Sequence, residues 1–525
     1  MTKTFRSLLL GTTLLLCNPA LAMAETVLNR GNNTDPETLD PHKYTTLYAA
    51  NILRDLFEGL VTQNAKAELI PGAAESWVVS ADGTVYTFTL RKGMVWSDGT
   101  PVTAHDFVYG WRRLVSPDTG AEYAYMLAPV LNAEAITAGE KAPDDLGVKA
   151  IDDMTFEVTL NAPTPYLLEM LANPATFPVN QANVEKFGAD FSKPGNLVSN
   201  GAYTLTQFTP QDMVSLSKNP NFWDAANVSI DTVNYFPTDD IATAVKRFEA
   251  GELDLNDDFP TEQLDAIMTK FGDEVKIGPY LGTYYYVFNI TAEPWNNLEL
   301  RRAIAMAIDR DYLAEKVWQN TMLPTYSFVP PGISGYETQA FDFADQTQLD
   351  REDEASAILK ELGYGPQNPL KMEIRYNTSD NNANTAVAIQ EQLRPFGIDV
   401  TLLNADTASH YGVLKQHGDF DVARAAWIAD YKDPENFLAL CKSGTGNNYA
   451  NYSNTEYDDL LAQAAASADP AQRMVFLSDA EKVGVARDLC VVPLLNYSFR
   501  ALVSDEVKGW EPNVMNVHPS RFLSK

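Results

Sequence analysis

Apolar and polar positions alternate in several short stretches. Val85-Tyr86-Thr87-Phe88-Thr89-Leu90 changes side at each residue, the period of a half-buried strand. Phe156-Glu157-Val158-Thr159-Leu160 and residues 203–208 and 213–218 repeat it. Elsewhere the apolar period lengthens to that of a helix. It does so at 49–57, behind Thr103 through Phe107, Val108 and Trp111, and at 242–250. Residues 298–318 carry one unbroken helical pattern with Arg301 and Arg302 in its first turns, which predicts a single helix. Further helices fit 352–362, 386–393 and 457–466, and strands fit 371–376, 399–404 and 421–427. Strand, helix and strand in that order predict an α/β fold. Residues 282–289 read as a strand with three consecutive tyrosines, Tyr284, Tyr285 and Tyr286. Neighbours on a strand face opposite ways, so at least one of the three is expected on a surface or in a cleft. The tail from Tyr497 has strand character but is too short for a domain, and is expected to return to the first block.

Length and composition narrow this picture. At 525 residues the chain exceeds one ordinary core, so two or three domains are expected. Lys3 and Arg6 precede an apolar run ending at Cys17, and Ala22-Met23-Ala24 supplies small residues. Residues 1–24 therefore read as a secretory signal peptide, too short in its apolar part to span a bilayer. Leu16 before Cys17 argues against a lipid anchor. Removing Lys3 and Arg6 takes the formal charge from −31 to −33. Such a surface repels nucleic acid and anionic lipid and keeps the protein soluble. Cys441 and Cys490 remain; an oxidising compartment permits them to pair, and the sequence leaves the pairing open.

Little in the chain nominates catalysis. His42, His105, His410, His417 and His518 form no metal-ligand motif, and His410 with His417 could at most share a helix face. No nucleophile elbow, phosphate loop or dinucleotide fingerprint is present. The chain is expected not to be an enzyme and to need no metal or cofactor. The stretch 421–431, DVARAAWIADY, stands out instead. Arg424 and Asp430 sit six apart around Trp427, on one face of an extended segment. A zwitterionic ligand could satisfy both, ammonium to Asp430 and carboxylate to Arg424. An internal ion pair or an exposed strand face would account for the same pattern.

Several motifs together resemble the periplasmic oligopeptide-binding proteins of bacterial ABC importers, within the family 5 extracellular solute-binding proteins. They are Leu39-Asp40-Pro41-His42-Lys43, Arg54-Asp55-Leu56-Phe57-Glu58-Gly59-Leu60 and Trp96-Ser97-Asp98-Gly99-Thr100-Pro101-Val102-Thr103-Ala104. Asn200-Gly201-Ala202-Tyr203, Ala307-Ile308-Asp309-Arg310 and the 421–431 stretch continue the match. The resemblance implies an α/β fold of the type II periplasmic-binding-protein kind. Two ligand-clasping lobes would be joined by a hinge, with an extra lobe packed on the first. Lobe one would be 25–57, 181–281 and 496–525; the extra lobe 58–180; the second ligand-binding lobe 282–495. It implies a periplasmic monomer that captures oligopeptides and delivers them to inner-membrane permease subunits.

The resemblance also implies roles. Asp430 would hold the peptide's α-ammonium, and Arg424 its carboxylate. Trp427, Tyr123, Tyr280, Tyr285 and Leu47 would line the cleft. The backbone of 425–428 (Ala425, Ile428) and of 282–284 (Gly282) would pair with the peptide main chain. At further pocket positions this chain departs from the family pattern. Trp318 and Asn382 are uncharged where longer-peptide binders carry basic groups, Lys415 keeps a positive charge, and Ala408 and Thr45 replace a tryptophan and a glutamate. One remaining carboxylate anchor implies a preference for one, short, ligand length. The departures keep open a same-fold receptor for a murein tripeptide, an opine-like conjugate or a metal chelate. A secreted hydrolase and a periplasmic chaperone are the more distant rivals.

Overall fold

The computed structural model describes residues 25–525, so the signal-peptide expectation lies outside the described residues. Eleven strands form one mixed sheet. Its order is Ile398–Ala405, Leu370–Asn377, Val422–Ile428, Val275–Phe288, Val492–Val503, Leu255–Asn256, Val27–Gly31, Thr232–Phe236, Met213–Lys218, Tyr203–Thr209, with Met322–Pro324 also on Val492–Val503. A separate antiparallel sheet joins Ala74–Val79, Val85–Leu90, Thr155–Thr159 and Val148–Asp152. Helix Ala104–Val115 covers it, with Trp111 edge-on to Phe156 at 5.1 Å. The helix starts where Thr103 and Asp106 form a capping pair, the Thr103 N–H donating to the Asp106 carboxylate at 2.8 Å.

Apolar side chains gather into two large clusters. One draws on 28–235 with Leu255 and the C-terminal tail; the other runs from Leu281 to Val517. Val275–Phe288 and Val492–Val503 lie side by side and reach from one to the other. Val275–Pro279 pairs with Ser498–Leu502, and Thr283–Tyr286 with Val492–Asn496, with an irregularity between. The tail is thus the far end of a twelve-residue strand, and its Val503 pairs with Leu255.

Three local expectations are corrected. All three tyrosines are buried, at 0%, 1% and 2% exposure for Tyr284, Tyr285 and Tyr286. Their strand is central and covered on both faces: Tyr284 packs on Trp318 at 5.8 Å and Tyr285 on Phe328 at 5.0 Å. The predicted helix 298–318 breaks after Leu298–Ala307. Ile308 is extended, and the Asp309 carboxylate accepts from the Tyr312 N–H at 2.9 Å, capping a new start at Arg310–Tyr312. His410 and His417 share no face. His410 is fully buried and donates from Nε2 to the Arg424 carbonyl at 2.8 Å, while His417 lies past the helix end, exposed, with φ 49°. Cys441 and Cys490 form a disulfide.

Candidate functional site

A cavity of about 250 Å³ lies where the two apolar clusters face each other. One wall is helix Leu47–Leu56, which presents Leu47, Ala50, Asn51 and Arg54 to it, the three- and four-residue spacing of one helix face. Tyr44 and Tyr123, stacked at 4.9 Å, add an aromatic side. Tyr280, Trp318, Asp430, Tyr497 and Asp257 complete the parts that carry chemistry.

Asp430 follows the end of strand Val422–Ile428. Tyr125 donates its hydroxyl to Asp430 Oδ2 at 2.7 Å. The Asp430 N–H and Trp427 Nε1 both donate to Asn436 Oδ1, at 3.1 and 2.8 Å, which fixes the turn. Burial pushes the Asp430 carboxyl up to about 6, against the hydrogen bonds from Tyr125 and Asn436 that favour its charge. Burial, with Asp430 adding to it, likewise raises the Tyr123 phenol to about 12. Among the described residues no cation pairs with Asp430.

Arg424 is held differently. It is 8% exposed and does not line the cavity. Its NH1 donates to Asn377 Oδ1 at 3.0 Å and to the Tyr411 hydroxyl at 3.3 Å; its NH2 donates to the Tyr497 hydroxyl at 3.0 Å. The guanidinium lies over the Tyr284 ring at 4.6 Å. Burial pulls its pKa down, but Tyr497, Tyr284 and Tyr411 outweigh that and hold the charge on. The internal Arg424–Asp430 ion pair considered from sequence does not form among the described residues. Arg424 stands behind Tyr497, which is itself part of the wall.

The other expected positions divide. Leu47, Tyr123, Tyr280 and Trp318 line the cavity with Asp430. Tyr285 is packed into the core and does not line it. Asn382 is buried and donates to Asn377 at 3.0 Å, so it braces Arg424 at second hand. Lys415, Ala408 and Thr45 are exposed and away from the cavity lining, and Thr45 donates its hydroxyl to Glu37 at 3.2 Å. Ala425 is fully buried, and Trp427 and Ile428 are half-buried.

The proposed main-chain clamp also needs correction. Thr283 and Tyr284 pair with Trp427 and Ala426 on one side and with Asn496 and Leu495 on the other. That stretch therefore has no free edge. Gly282 serves close packing: a Cβ there would lie 2.4 Å from Ile428 Cδ1 and 3.0 Å from Tyr497. On the neighbouring strand, the Ala429 N–H donates to the Leu281 carbonyl at 2.8 Å. Residues 425, 427 and 429 thus turn their backbone groups inward, and 424, 426 and 428 turn theirs outward. Leu370–Asn377 pairs outward only as far as Ala423. The open backbone is that of Ala426 and Ile428, not Ala425.

Contacts also cross between 58–180 and the second cluster. Lys432 Nζ donates to the Ala67 carbonyl at 2.8 Å, and Tyr166 stacks on Tyr431 at 5.6 Å. A larger groove of about 770 Å³ opens beside them, but its Arg473 is already paired with Asp433 at 2.7 Å. Sequence reasoning missed Tyr44, Asp257, Tyr497 and Arg54 as parts of the cavity, and Tyr125 as the donor to Asp430. For Arg54 a signal existed, since it falls on the helical stripe of Leu47 and Ala50.

Three comparisons place the chain among known proteins. The profile of bacterial extracellular solute-binding proteins, family 5 Middle, matches residues 68–449. The chain is 39% identical over 487 residues to the periplasmic oligopeptide-binding protein OppA of Salmonella typhimurium, covering 92% of this chain and 89% of that one. It is 38% identical over 482 residues to the periplasmic murein peptide-binding protein MppA of Escherichia coli, covering 91% and 89%. The unliganded open form of the periplasmic murein tripeptide-binding protein MppA superimposes with a TM-score of 0.84 at 37% identity, over 96% and 98% of the two chains.

Proposed function

The chain belongs to the family 5 bacterial extracellular solute-binding proteins, and on that premise we propose that it is a periplasmic receptor that captures peptides and hands them to an inner-membrane ABC importer. The observation that carries the reading is Asp430, a buried carboxylate on the cavity lining that has no ion-pair partner among the described residues. A peptide's α-ammonium supplies that partner through a charge-assisted hydrogen bond. The outward backbone groups of Ala426 and Ile428 give the peptide main chain a strand edge to extend. Main-chain pairing reads no side chain, so sequence selectivity is low. The reading takes lobe one as 25–57 with 181–281 and 496–525, the extra lobe as 58–180 and the second ligand-binding lobe as 282–495. Support for it comes from the two strands that reach across, with the hinge where they are irregular. Closure around ligand shifts an open–closed equilibrium that the transporter reads.

Incubating the mature protein with a mixed pool of short peptides, then releasing and sequencing what is retained, tests the reading. Intact peptides with free N-termini are expected. Cleaved products would point to a hydrolase, and equal retention of N-acetylated peptides would remove Asp430 from the site.

A further inference from the structure

The turn after strand Val422–Ile428 carries three consecutive residues that each reach into 58–180, the extra lobe of the reading above. Asp430 accepts from the Tyr125 hydroxyl at 2.7 Å, and Lys432 Nζ donates to the Ala67 carbonyl at 2.8 Å. Tyr431, between them, is the most enclosed. It forms a small apolar cluster with Met126 and Met170, apart from the two large ones, and Tyr123 and Tyr166 pack against it. Tyr431 is 6% exposed, and both methionines are buried. The Tyr166 and Tyr431 rings stack at 5.6 Å, 7° from parallel. The Arg473 guanidinium lies 5.1 Å from the Tyr166 ring and is itself fixed by two 2.7 Å bonds to Asp433. From Tyr431 the contacts run back to the ligand site. Its hydroxyl donates to Glu435 Oε2 at 2.6 Å, and Asn436, the next residue, accepts from the Asp430 N–H and from Trp427 Nε1. A turn between a strand and a helix moves unless side chains hold it, and here the holding groups come from the other side of a lobe boundary.

We propose that Tyr166 is a positioning residue for the ligand site: with Met126 and Met170 it forms a socket that grips Tyr431 and so holds the Asp430 carboxylate where a peptide ammonium meets it. This rests on the receptor reading above and deepens it, because it gives the extra lobe a share in the site. Tyr166 does not line the cavity, so it acts through Tyr431. Of the three tethers, Tyr125 is 43% exposed and Lys432 makes a single bond, whereas Tyr431 is enclosed by two thioethers and a stacked ring. Stacked rings and sulfur–aromatic contacts each add to the gain from burial, and unbranched methionines close around a ring of fixed shape. A charged hydrogen bond runs at about 2.7–2.9 Å, so a turn looser by about 1 Å forfeits much of it.

Calorimetry with tri-alanine and N-acetyl-tri-alanine tests this on the mature wild-type protein and on Tyr166→Ala, Tyr166→Leu and Tyr166→Phe. Wild type is expected to prefer the free amine by on the order of 10- to 100-fold, the strength of a hydrogen bond to a charged group. In Tyr166→Ala the free peptide is expected to bind about 10-fold more weakly, the acetylated one to change by less than about 3-fold, and the preference to shrink accordingly. Tyr166→Leu keeps apolar bulk without the stack and gives the same reading should the alanine variant fail to fold. Tyr166→Phe keeps the ring and is expected to stay within about 3-fold of wild type for both peptides. Equal weakening of both peptides in Tyr166→Ala or Tyr166→Leu, or an unchanged preference there, overturns the proposal, because general lobe packing would then account for the contact. Loss of the preference in Tyr166→Phe also overturns it. Equal binding of the two peptides by wild type overturns it and leaves the receptor reading standing, whereas failure of wild type to bind either overturns both.

Discussion

Two charges on one short run of chain meet opposite fates. Arg424 is enclosed by neutral hydroxyls, an amide oxygen and an aromatic face, so both terminal nitrogens of its guanidinium are partnered without ligand while its Nε is not. Asp430, six residues on, has one phenol and a cavity, and burial lifts its pKa to about 6. The difference teaches that burial alone does not mark a ligand anchor. What marks one is a charge whose missing partner would have to come from the cavity side. By that criterion Asp430 qualifies, whereas Arg424 lies off the cavity lining.

The sharpest way to break this contrast is to remove Arg424. Arg424→Ala takes a donor from the Tyr411 and Tyr497 hydroxyls and from Asn377, which keeps its bond from Asn382, and is expected to lower stability without ligand by about 1–3 kcal/mol in urea titrations. A loss under about 1 kcal/mol, with peptide affinity gone, would make Arg424 the anchor after all. The counterpart, Asp430→Ala, is expected to cut affinity for free-amine peptides by about 3 kcal/mol or more, roughly 100-fold. Its melting temperature without ligand is expected not to fall.

Acid should expose the same asymmetry. The ammonium pairs only with ionised Asp430, so affinity is expected to hold above pH 6 and drop about tenfold per unit below it. The hydroxyls of Tyr44, Tyr123, Tyr125 and Tyr280 that face Asp430 stay protonated across that range. A flat profile from pH 7 to 4.5 would mean the carboxylate takes no part. Stability runs the other way. The folded pKa lies above the ordinary 3.8, so Asp430 stabilises the empty protein in acid and loses that contribution as pH rises through about 6. Asp430→Asn is therefore expected to gain up to about 2–3 kcal/mol at pH 8 and nothing near pH 3, by thermal melts at both pH values. The smallest effect concerns Tyr125→Phe. Losing a hydrogen bond that favours the charge should move the acid edge of binding upward, and an edge moving downward would contradict the geometry.

Much of the fold was legible where a single period governs. Val85–Leu90 and Met213–Lys218 alternate cleanly and fold where the pattern puts them. The helix break near Asp309 was not, because the apolar period continues through it and only the competing aspartate cap stops it. The site was legible at Asp430, Tyr123 and Tyr280 through motif resemblance. The surroundings of Arg424 could not be read, since Asn377, Tyr411 and Tyr497 lie 47, 13 and 73 residues away. Sequence places a charge on a strand; only the fold says who else is there.

The two strands that reach between the clusters bear on how the molecule comes apart. Thr283–Tyr286 is hydrogen-bonded on both flanks, to Val422–Ile428 and to Val492–Val503, and the latter also pairs with Leu255–Asn256 of the other half. Neither half can lose its sheet without stripping a strand from its neighbour. Heating the empty protein in a calorimeter should therefore give one endotherm rather than two. The amides of Thr283 to Tyr286 should be among the last to exchange with deuterium, opening only when the whole sheet does.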